Sequence, residues 1–341
     1  MKDSSERHIS RAEFADLFRP TRSSTHIDLS PPAEFAGTEA IQARAKSVSL
    51  GLHGKDIDAI ANSYGSPSYS IIKEMLSQLS RMNLLPGLAG IGIEVGSGIA
   101  LLSCATLELD VRKQIQGIIA LEAVEPFVRE GIPFVGRKIL KENSYKILPC
   151  YGVFENIPFE SSSLDFGIQI ESLHHAEKLE PAIREIARII RPGGFFISID
   201  RSWVDSISDN SMEEMLDHEY SPEWLSGKNF DSDRRFTRRD NGEHEYRDRE
   251  WKSAFLESDF ELVSEIHLHP RLEWWHVKKR LVCMLRIENL AGIKTRSRNG
   301  VIRNFLSQKM GLEDRRFSNL VCTKHPRPLT LLVLRKSITE K

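Results

Sequence analysis

The stretch Gly90–Ser103, GIGIEVGSGIALLS, combines residue types that could bind a small ligand. The apolar run Ile91–Val95 predicts a buried strand, and Gly96 and Gly98 follow it before a helix-like apolar run. Glycines in such a turn let the backbone approach a ligand, and the start of the following helix favours a nucleotide-type ligand at the end of a parallel strand. Glu94 adds a carboxylate that suits a cationic amino group. A turn that is merely tight is the alternative interpretation.

The spacing of the glycines distinguishes two kinds of nucleotide ligand. The dinucleotide pattern G-x-G-x-x-G would require a glycine where the chain has Leu101. Glu94 points instead to S-adenosylmethionine, whose aminoacyl end has an ammonium group where a dinucleotide has its phosphates. Further along, the predicted strand in QGIIALEAVEP runs into Glu122, at the separation where an acidic side chain can hold both ribose hydroxyls. Glu125 competes for this role, and a solvated carboxylate at a strand end is the simpler interpretation of either residue.

Alternating sequence patterns around the turn predict an α/β fold. Two helices are predicted between residues 56 and 82, separated by GSPS. Strands then alternate with helices, which implies right-handed crossovers and a mainly parallel sheet covered on both faces. We therefore expect a Rossmann-like, doubly wound, mainly parallel seven-stranded sheet with helices on both faces. Its strands are predicted at Ile91–Val95, Gly117–Leu121, Tyr145–Leu148, Leu164–Ile170, Phe195–Ile199, Phe260–Val263 and Leu329–Leu334.

Composition divides the chain into a core and several additions. The charged stretch after residue 200 is poor in aliphatic residues, so we expect an exposed insertion there. A second insertion is far longer than ordinary connections. The expected division is 1–55, an N-terminal extension; 56–200, the ligand-binding core; 201–248, a charged insertion or lid; 249–264, core continued; 265–328, a second insertion serving as substrate cap or dimer contact; and 329–341, the last core strand and tail.

Whole-chain composition argues against several classes of protein. The 47 Lys and Arg residues nearly balance the 48 Asp and Glu residues, so no global field attracts the chain to a polyanion. The four cysteines are far apart without C-x-x-C spacing, which argues against a zinc site or a disulfide framework. The N-terminus is polar, and no apolar run approaches the roughly 20 residues that span a bilayer. We expect a cytoplasmic protein without membrane or nucleic-acid partners, and a homodimer is one option.

The central motifs resemble the class I S-adenosylmethionine-dependent methyltransferase family, in its small-molecule branch. FENIPF resembles the family's adenine-binding turn. SLDFGIQIESLHH resembles its fourth strand and the loop over the methyl group. IARIIRPGGFFISID resembles the helix, turn and fifth strand that follow. The resemblance covers roughly Ile91–Asp200, with support from EWKSAFLESDFELV. It implies S-adenosylmethionine as cofactor and S-adenosylhomocysteine as product. The cofactor-binding residues it implies are Glu94, Gly96, Ser97, Gly98, Glu122, Phe154, Glu155 and Gln169.

Two positions depart from the family pattern. The usual third glycine is Ala100, a conservative change that we expect to keep close helix packing. Val153 replaces an acidic residue that often stands two positions before the glutamate of the adenine turn. A hydrogen bond from that position to the adenine amino group is therefore not expected, although the backbone at Phe154 could still reach the ring.

Methyl transfer to a hydroxyl requires alignment of the acceptor and removal of its proton. His174 and His175 lie where the family's substrate loop approaches the methyl group, and a histidine titrating near neutrality suits that proton. Packing or loop shaping is the alternative role of this pair. Asp200 ends the fifth core strand and could orient a base or bind substrate, or could form a helix cap or salt bridge. Glu171 adds another carboxylate, but no metal-ligand spacing is diagnostic, so no metal site is expected.

The insertions are expected to determine the acceptor, since variable segments above a rigid sheet carry specificity. The stretch HLHPRLEWWHVKKRL offers aromatic and histidine side chains that could contact an acceptor or, alternatively, a core or subunit surface: His267, His269, Trp274, Trp275 and His276. An arginine cluster could bind an anion or be neutralised by nearby acids: Arg234, Arg235, Arg238 and Arg239. The leading hypothesis is a small-molecule methyltransferase with O-methylation favoured, on a sugar or specialised metabolite. A nucleic-acid methyltransferase and an inactive cofactor-binding partner protein are the alternatives.

Overall fold

The computed structural model describes residues 8–19, 26–29, 57–63, 66–227, 233, 235–270, 320–324 and 328–338. Within these residues a single sheet runs in the order β1-β4-β3-β2-β5-β6-β9-β7-β8. The strands are β1 Ile27–Asp28, β2 Gly90–Val95, β3 Ile115–Glu122, β4 Ile147–Tyr151, β5 Leu164–Ile170, β6 Ile190–Asp200, β7 Phe260–Pro270, β8 Leu320–Thr323 and β9 Leu329–Lys336.

The pairing directions confirm the predicted fold class. Strands β1 to β6 form parallel pairs, whereas β9 lies antiparallel between β6 and β7. The sheet has nine described strands instead of the seven expected. The two additions, β1 and β8, are short strands at opposite edges, supplied by the N-terminal extension and the second insertion. Two to four residues are too few to show a period-2 pattern, which explains why the sequence did not reveal them.

Helices cover both faces of the sheet. Residues such as Ile72, Leu101 and Val135 form one apolar layer, and Ile183 and Phe255 belong to the layer on the opposite face. Parallel strands buried on both faces need such covering layers. The helices are α1 Arg11–Leu17, α2 Ile57–Ser63, α3 Tyr69–Arg81, α4 Leu101–Leu109, α5 Ile132–Leu140, α6 Leu179–Ile189, α7 Asp209–Leu216, α8 Pro222–Gly227 and α9 Asp248–Glu257.

The described part of the N-terminal extension packs on the core. Ser10 caps α1, and Phe14 and Phe18 are buried in the apolar layer that also contains Phe255. The ring of Phe18 lies over Gly117 of β3, where an added Cβ would approach it to 2.1 Å. This part of the extension is therefore an element of the fold, while the domain boundary at residue 55 stays a prediction.

The expectation of a wholly exposed charged insertion is wrong for residues 236–248, which we call the 236–248 segment. Charged side chains within it are buried, including Glu243, Glu245 and Arg247. Burial is tolerated because these charges are paired, as described below. In the second insertion, residues 271–319 lie outside the described residues, and with them Trp274, Trp275 and His276; Arg234 of the first insertion does as well.

Ala100 occupies a backbone conformation that favours glycine. It is the N-cap of α4, with φ of 62° and ψ of 38°. A Cβ in this left-handed region costs about 1–2 kcal/mol. We therefore expect Ala100→Gly to raise the free energy of unfolding by about 0.5–1 kcal/mol, after allowance for the greater freedom of glycine in the unfolded chain. Urea denaturation of both proteins measures the difference.

Ala105 provides the matched control for this prediction, because it is a buried residue within the same helix. Ala105→Gly should lower the free energy of unfolding by about 1 kcal/mol. If both glycine variants are equally destabilised, the left-handed conformation of Ala100 carries no strain and the prediction is wrong.

Candidate functional site

The glycine turn lies at the carboxyl edge of the sheet, directly after β2. Gly96 and Gly98 have φ of 62° and 55°, as a turn of this kind requires. An added Cβ at Gly96 would lie 2.5 Å from Cβ of Ser172, so the loop after β5 packs against the turn. The Oγ atom of Ser97 is buried and has no hydrogen-bond partner among the described residues. The turn thus presents an unsatisfied polar atom, which a bound ligand would satisfy.

Glu122, at the end of β3, lies beside this turn. Its Oε2 accepts a hydrogen bond of 2.7 Å from the Gly98 N–H, and its Oε1 accepts from the N–H groups of Ala123 and Val124 at 2.9 Å. The competing residue Glu125 instead forms a 2.6 Å ion pair with Arg129, and its side chain is 46% exposed. The structure therefore places Glu122, and not Glu125, against the turn.

We expect Glu122→Ala to weaken the binding of S-adenosylhomocysteine by about 1–3 kcal/mol, because charge-assisted hydrogen bonds to the ribose would be lost. Calorimetric titration of the purified variant measures the change. Glu125→Ala is the control and should bind as the unmodified protein does. Equal weakening in the two variants, or weakening in Glu125→Ala alone, would assign the ribose contact elsewhere.

Glu94 is buried and turned toward α4. Its Oε2 accepts from the Ser103 N–H at 2.9 Å and from the Ser103 hydroxyl. Ala100 has no side chain that could cap α4, so Glu94 satisfies a donor in the first turn of that helix. Burial raises the pKa of Glu94 to about 8, against the opposing effect of the Ser103 bonds. The structure therefore gives Glu94 a capping contact, and its predicted contact with an ammonium group stays a prediction.

The two residues of the predicted adenine turn, Phe154 and Glu155, have distinct environments. Phe154 is buried, and its ring lies 3.7 Å from the position of an added Cβ at Gly96. Glu155 accepts a 3.3 Å hydrogen bond from the Glu177 N–H, and burial raises its pKa. The Phe154 ring is thus close to the glycine turn, as a wall of a nucleoside site would be.

Gln169 is fully buried in β5. Its Nε2 donates to Ser198 Oγ at 2.7 Å, and its Oε1 accepts from the Ser172 N–H and hydroxyl at 3.1 and 3.0 Å. The hydroxyl of Ser172 also lies 2.7 Å from the Val95 carbonyl oxygen. The structure therefore shows Gln169 holding the loop after β5 in place, and its direct contact with a cofactor stays a prediction.

His174 and Asp200 form a buried pair at the carboxyl ends of β5 and β6. Nδ1 of His174 lies 2.7 Å from Oδ1 of Asp200, and the two residues are 5% and 2% exposed. Burial, together with the charge of Arg201, lowers the pKa of His174 well below its usual range. Burial raises the pKa of Asp200 to about 6. At neutral pH the pair is therefore a neutral imidazole that donates its Nδ1–H to a carboxylate, which leaves Nε2 as the basic nitrogen.

His175 has a different environment from its neighbour. Its Nδ1 donates to the Gly242 carbonyl oxygen at 2.9 Å, and the two histidine rings lie 4.3 Å apart. The described residues contain no group of three or more His, Cys, Asp or Glu side chains arranged to hold a metal ion. His174 is thus the histidine that lies in hydrogen-bond contact with the carboxylate of Asp200.

A network of opposite charges connects the 236–248 segment to the end of β6. Arg201 and Arg238 each approach Glu243 to 2.9 Å, and Arg238 also contacts Glu245. Although burial opposes it, these guanidinium groups hold the pKa of Glu243 well below its usual range. Arg238 is therefore neutralised by acids, as one of the two alternatives held, but it does not lie in an exposed insertion as predicted.

The network includes residues that sequence reasoning missed, namely Arg201, Glu243 and Glu245. The available signal was the alternation in GEHEYRD, where Glu243, Glu245 and Arg247 are buried and His244 and Tyr246 are less so. Such a period-2 pattern is typical of an extended chain with one face covered. The His244 N–H donates to the His174 carbonyl oxygen at 2.9 Å, so this segment contacts the candidate site directly.

These features fit S-adenosylmethionine. The unsatisfied Ser97 hydroxyl, the backbone groups of the turn and the Glu122 carboxylate would hold its polar groups, and Phe154 would contact its base. Bound there, the cofactor supplies an electrophilic methyl group. The His174–Asp200 pair lies at the same edge of the sheet, because the carboxyl ends of parallel strands meet there.

Comparison with known proteins finds similarity in the region that carries the candidate site. Residues 94–198 match the family model described as a methyltransferase domain. Curated relatives include squalene methyltransferase 2 of Botryococcus braunii, 38% identical over 58 residues, and botryococcene C-methyltransferase of the same organism, 30% identical over 84 residues. The matches cover 17% and 25% of this chain, and 15% and 16% of those proteins. The chain thus spans less than a fifth of the length of these relatives.

Solved structures similar to this chain include two methyltransferases. Geranyl diphosphate methyltransferase in complex with GPP and sinefungin is 11% identical, with a TM-score of 0.44 and coverage of 81% of this chain and 82% of that one. Phospholethanolamine N-methyltransferase 2 of Haemonchus contortus is 12% identical, with a TM-score of 0.44 and coverage of 82% and 57%.

Among the described helices, none combines the length and the apolar character that crossing a bilayer requires. Residues 94–198, which include the glycine turn, Glu122 and His174, carry a methyltransferase domain, and their motifs resemble those of the class I S-adenosylmethionine-dependent family.

Proposed function

We propose that this protein is a methyltransferase that transfers the methyl group of S-adenosylmethionine to a small-molecule acceptor, with a hydroxyl oxygen as the favoured acceptor atom. The observation that carries the proposal is the buried His174–Asp200 pair beside the glycine turn. A nitrogen nucleophile that is already unprotonated needs no base, whereas a hydroxyl must lose its proton. A histidine oriented by a carboxylate suits that task.

Each member of the pair has a defined part in the proposed mechanism. Asp200 accepts the Nδ1–H of His174, which fixes the ring orientation and leaves Nε2 able to accept a proton. The acceptor hydroxyl would transfer its proton to Nε2 as its oxygen forms the new bond to the methyl carbon. The bond between that carbon and the cofactor sulfur would break at the same time, and S-adenosylhomocysteine would leave with the electron pair. The resulting imidazolium is stabilised by the adjacent Asp200 carboxylate, as in other histidine–carboxylate pairs.

A carbon acceptor is a second candidate, because curated relatives are named squalene methyltransferase 2 and botryococcene C-methyltransferase. An alkene carbon that gains a methyl group must afterwards lose a proton to restore a double bond. His174 would serve as the base in that reaction too, so the same pair supports both acceptor classes.

Ligand titration tests the cofactor part of the proposal first. Calorimetry of the purified protein with S-adenosylhomocysteine, S-adenosylmethionine and NAD, with and without EDTA, should show binding of the two adenosyl ligands but not of NAD. Unchanged affinity in EDTA would agree with a site that uses no divalent metal. Binding of NAD alone would overturn the proposal.

Product identification then tests the transfer and its acceptor. The protein is incubated with S-adenosylmethionine carrying a labelled methyl group and a panel of hydroxylated metabolites, sugars, isoprenoid alkenes and RNA, and products are analysed by mass spectrometry. A labelled ether supports O-methylation, and a labelled alkene supports the carbon acceptor. Labelled RNA would favour a nucleic-acid methyltransferase. Adenosyl binding without a product from any class would favour an inactive cofactor-binding protein.

A further inference from the structure

The two carboxylate oxygens of Asp200 have unequal environments. Oδ1 accepts both the His174 Nδ1–H at 2.7 Å and the Arg201 N–H at 2.8 Å. Oδ2 is buried and has no hydrogen-bond partner among the described residues. A buried carboxylate oxygen without a donor is costly, so a donor for Oδ2 is expected at this position.

A small cavity lies next to Asp200, on the face of the sheet covered by α9, and Trp251 and Leu332 form apolar parts of its wall. Besides Asp200, its walls include Ser198 of β6, Ser202, and Thr330 of β9, with Lys252 and Glu265 on another side. The cavity has room for about one water molecule. A site of this size with several polar walls is typical of those that hold ordered water in proteins.

The hydroxyl groups in the cavity wall are directed away from Asp200. Ser202 gives its hydrogen to Oδ1 of Asp248, so the 2.6 Å contact between Ser202 and Thr330 requires Thr330 to donate. The oxygen of Thr330 in turn lies 3.3 Å from Nδ1 of His267. Because Ser202 donates its hydroxyl hydrogen to Asp248 and Thr330 donates its own to Ser202, neither hydroxyl donates to Asp200.

Ser198 differs from these two residues. Its Oγ accepts the Gln169 Nε2–H at 2.7 Å, so its own hydrogen remains for donation. A water in the cavity that accepts this hydrogen would have both of its own hydrogens to give. One of them would satisfy Oδ2 of Asp200, and the other would reach an acceptor in the opposite wall.

We propose that this cavity binds one ordered water, which accepts from Ser198 and donates to Oδ2 of Asp200, and that Ser198 is thereby a positioning residue for the His174–Asp200 pair. The positioning role rests on the proposed function, whereas the water site itself does not. The water fixes the plane of the carboxylate and favours its ionised form, because a donated hydrogen bond stabilises negative charge.

A crystal structure of the unmodified protein at high resolution provides the first test. We expect density for a water within hydrogen-bond distance of both Asp200 Oδ2 and Ser198 Oγ. A dry cavity, or an Asp200 Oδ2 bonded to a protein side chain, would overturn the water site.

The second test follows the protonation of the pair by nitrogen NMR of the His174 ring, without cofactor or acceptor. Ser198→Ala should move the acid transition of the pair upward by about 1 pH unit, since the water that donates to Asp200 loses the hydrogen bond that holds it in place. Ser198→Thr keeps a hydroxyl and should restore the original transition. An unchanged transition in Ser198→Ala would overturn the positioning role, and thermal melting confirms that each variant is folded.

Other charged groups near the pair and the cavity affect the acid transition equally in the unmodified protein and in the two Ser198 variants. Those that face the pair are Glu171, His175, Arg201, Arg238 and Glu243, and those that line the cavity are Asp248, Lys252 and Glu265. Because neither test uses the cofactor, the water site can be confirmed if no methyl transfer is found. Likewise, a dry cavity would leave the proposed methyl transfer intact.

Discussion

His174→Ala should lower the kcat of methyl transfer by 10²–10⁴-fold, the range typical of a lost general base. The reason is that Nε2 of His174 is the basic nitrogen of the buried pair, with Nδ1 committed to Asp200. KM for the acceptor should change much less, because the base acts on the proton that moves in the transition state. Steady-state kinetics with the acceptor identified by product analysis measures both constants.

His175→Ala is the matched control, since its ring lies beside that of His174 but contacts a backbone carbonyl. It should retain most of the kcat. Asp200→Asn should reduce kcat as well, because an amide does not favour the productive tautomer of His174. Full turnover in His174→Ala would exclude the histidine as base and favour an acceptor atom that needs none.

The pH dependence of kcat should reflect the protonation of the His174–Asp200 pair. Burial raises the pKa of Asp200 to about 6, and burial keeps His174 neutral at higher pH. Activity should therefore be constant above about pH 7 and fall as the pH drops through 6, with the transition belonging to the pair as a whole. An acid limb that persists unchanged in Asp200→Asn would assign it to another group.

The free energy of unfolding should decrease as the pH rises from about 4.5 to 8, because of Glu94. Burial raises the pKa of this carboxyl from 4.5 to about 8 in the folded protein. Between these values the folded state binds more protons than the unfolded state, so each pH unit costs up to about 1.4 kcal/mol of stability. Above pH 8 the contribution becomes constant. Urea denaturation at several pH values measures the slope.

Glu94→Gln isolates this contribution. The amide oxygen can still accept from the Ser103 N–H and hydroxyl, but the side chain does not ionise. Subtracting its pH profile from that of the unmodified protein removes the contribution of every other titrating group. We expect the variant to become the more stable protein by several kcal/mol near pH 8. Parallel profiles would show that Glu94 has an ordinary pKa.

Much of the sheet could be predicted, because long apolar runs and regular alternation carry that information. The strand Leu164–Ile170 is observed as predicted, and the strand predicted at Ile91–Val95 begins one residue earlier, at Gly90. The location of the candidate site at the carboxyl edge of the sheet could be predicted from the parallel topology. His174 and Asp200 were each placed there from the sequence, and their 2.7 Å contact follows from the adjacency of β5 and β6.

The remaining features depend on contacts between distant parts of the chain. Burial of Glu243 requires Arg201 and Arg238, and no local pattern shows that opposite charges 42 positions apart will meet. The capping contact of Glu94 likewise depends on the backbone angle of Ala100, which alanine rarely adopts. Composition predicted an exposed stretch around Glu243, because composition contains no information on which charges pair.

The place of β1 at the sheet edge has a consequence for the order of events during synthesis. Ile27 pairs with Cys150 of β4, more than a hundred positions later in the chain. A ribosome makes β1 long before its partner strand exists, so the early segment has no docking surface while the core strands are being made. Closing so long a loop is slow compared with local contacts. The edge strand should therefore be one of the last elements to settle, after the central strands have formed the surface to which it binds.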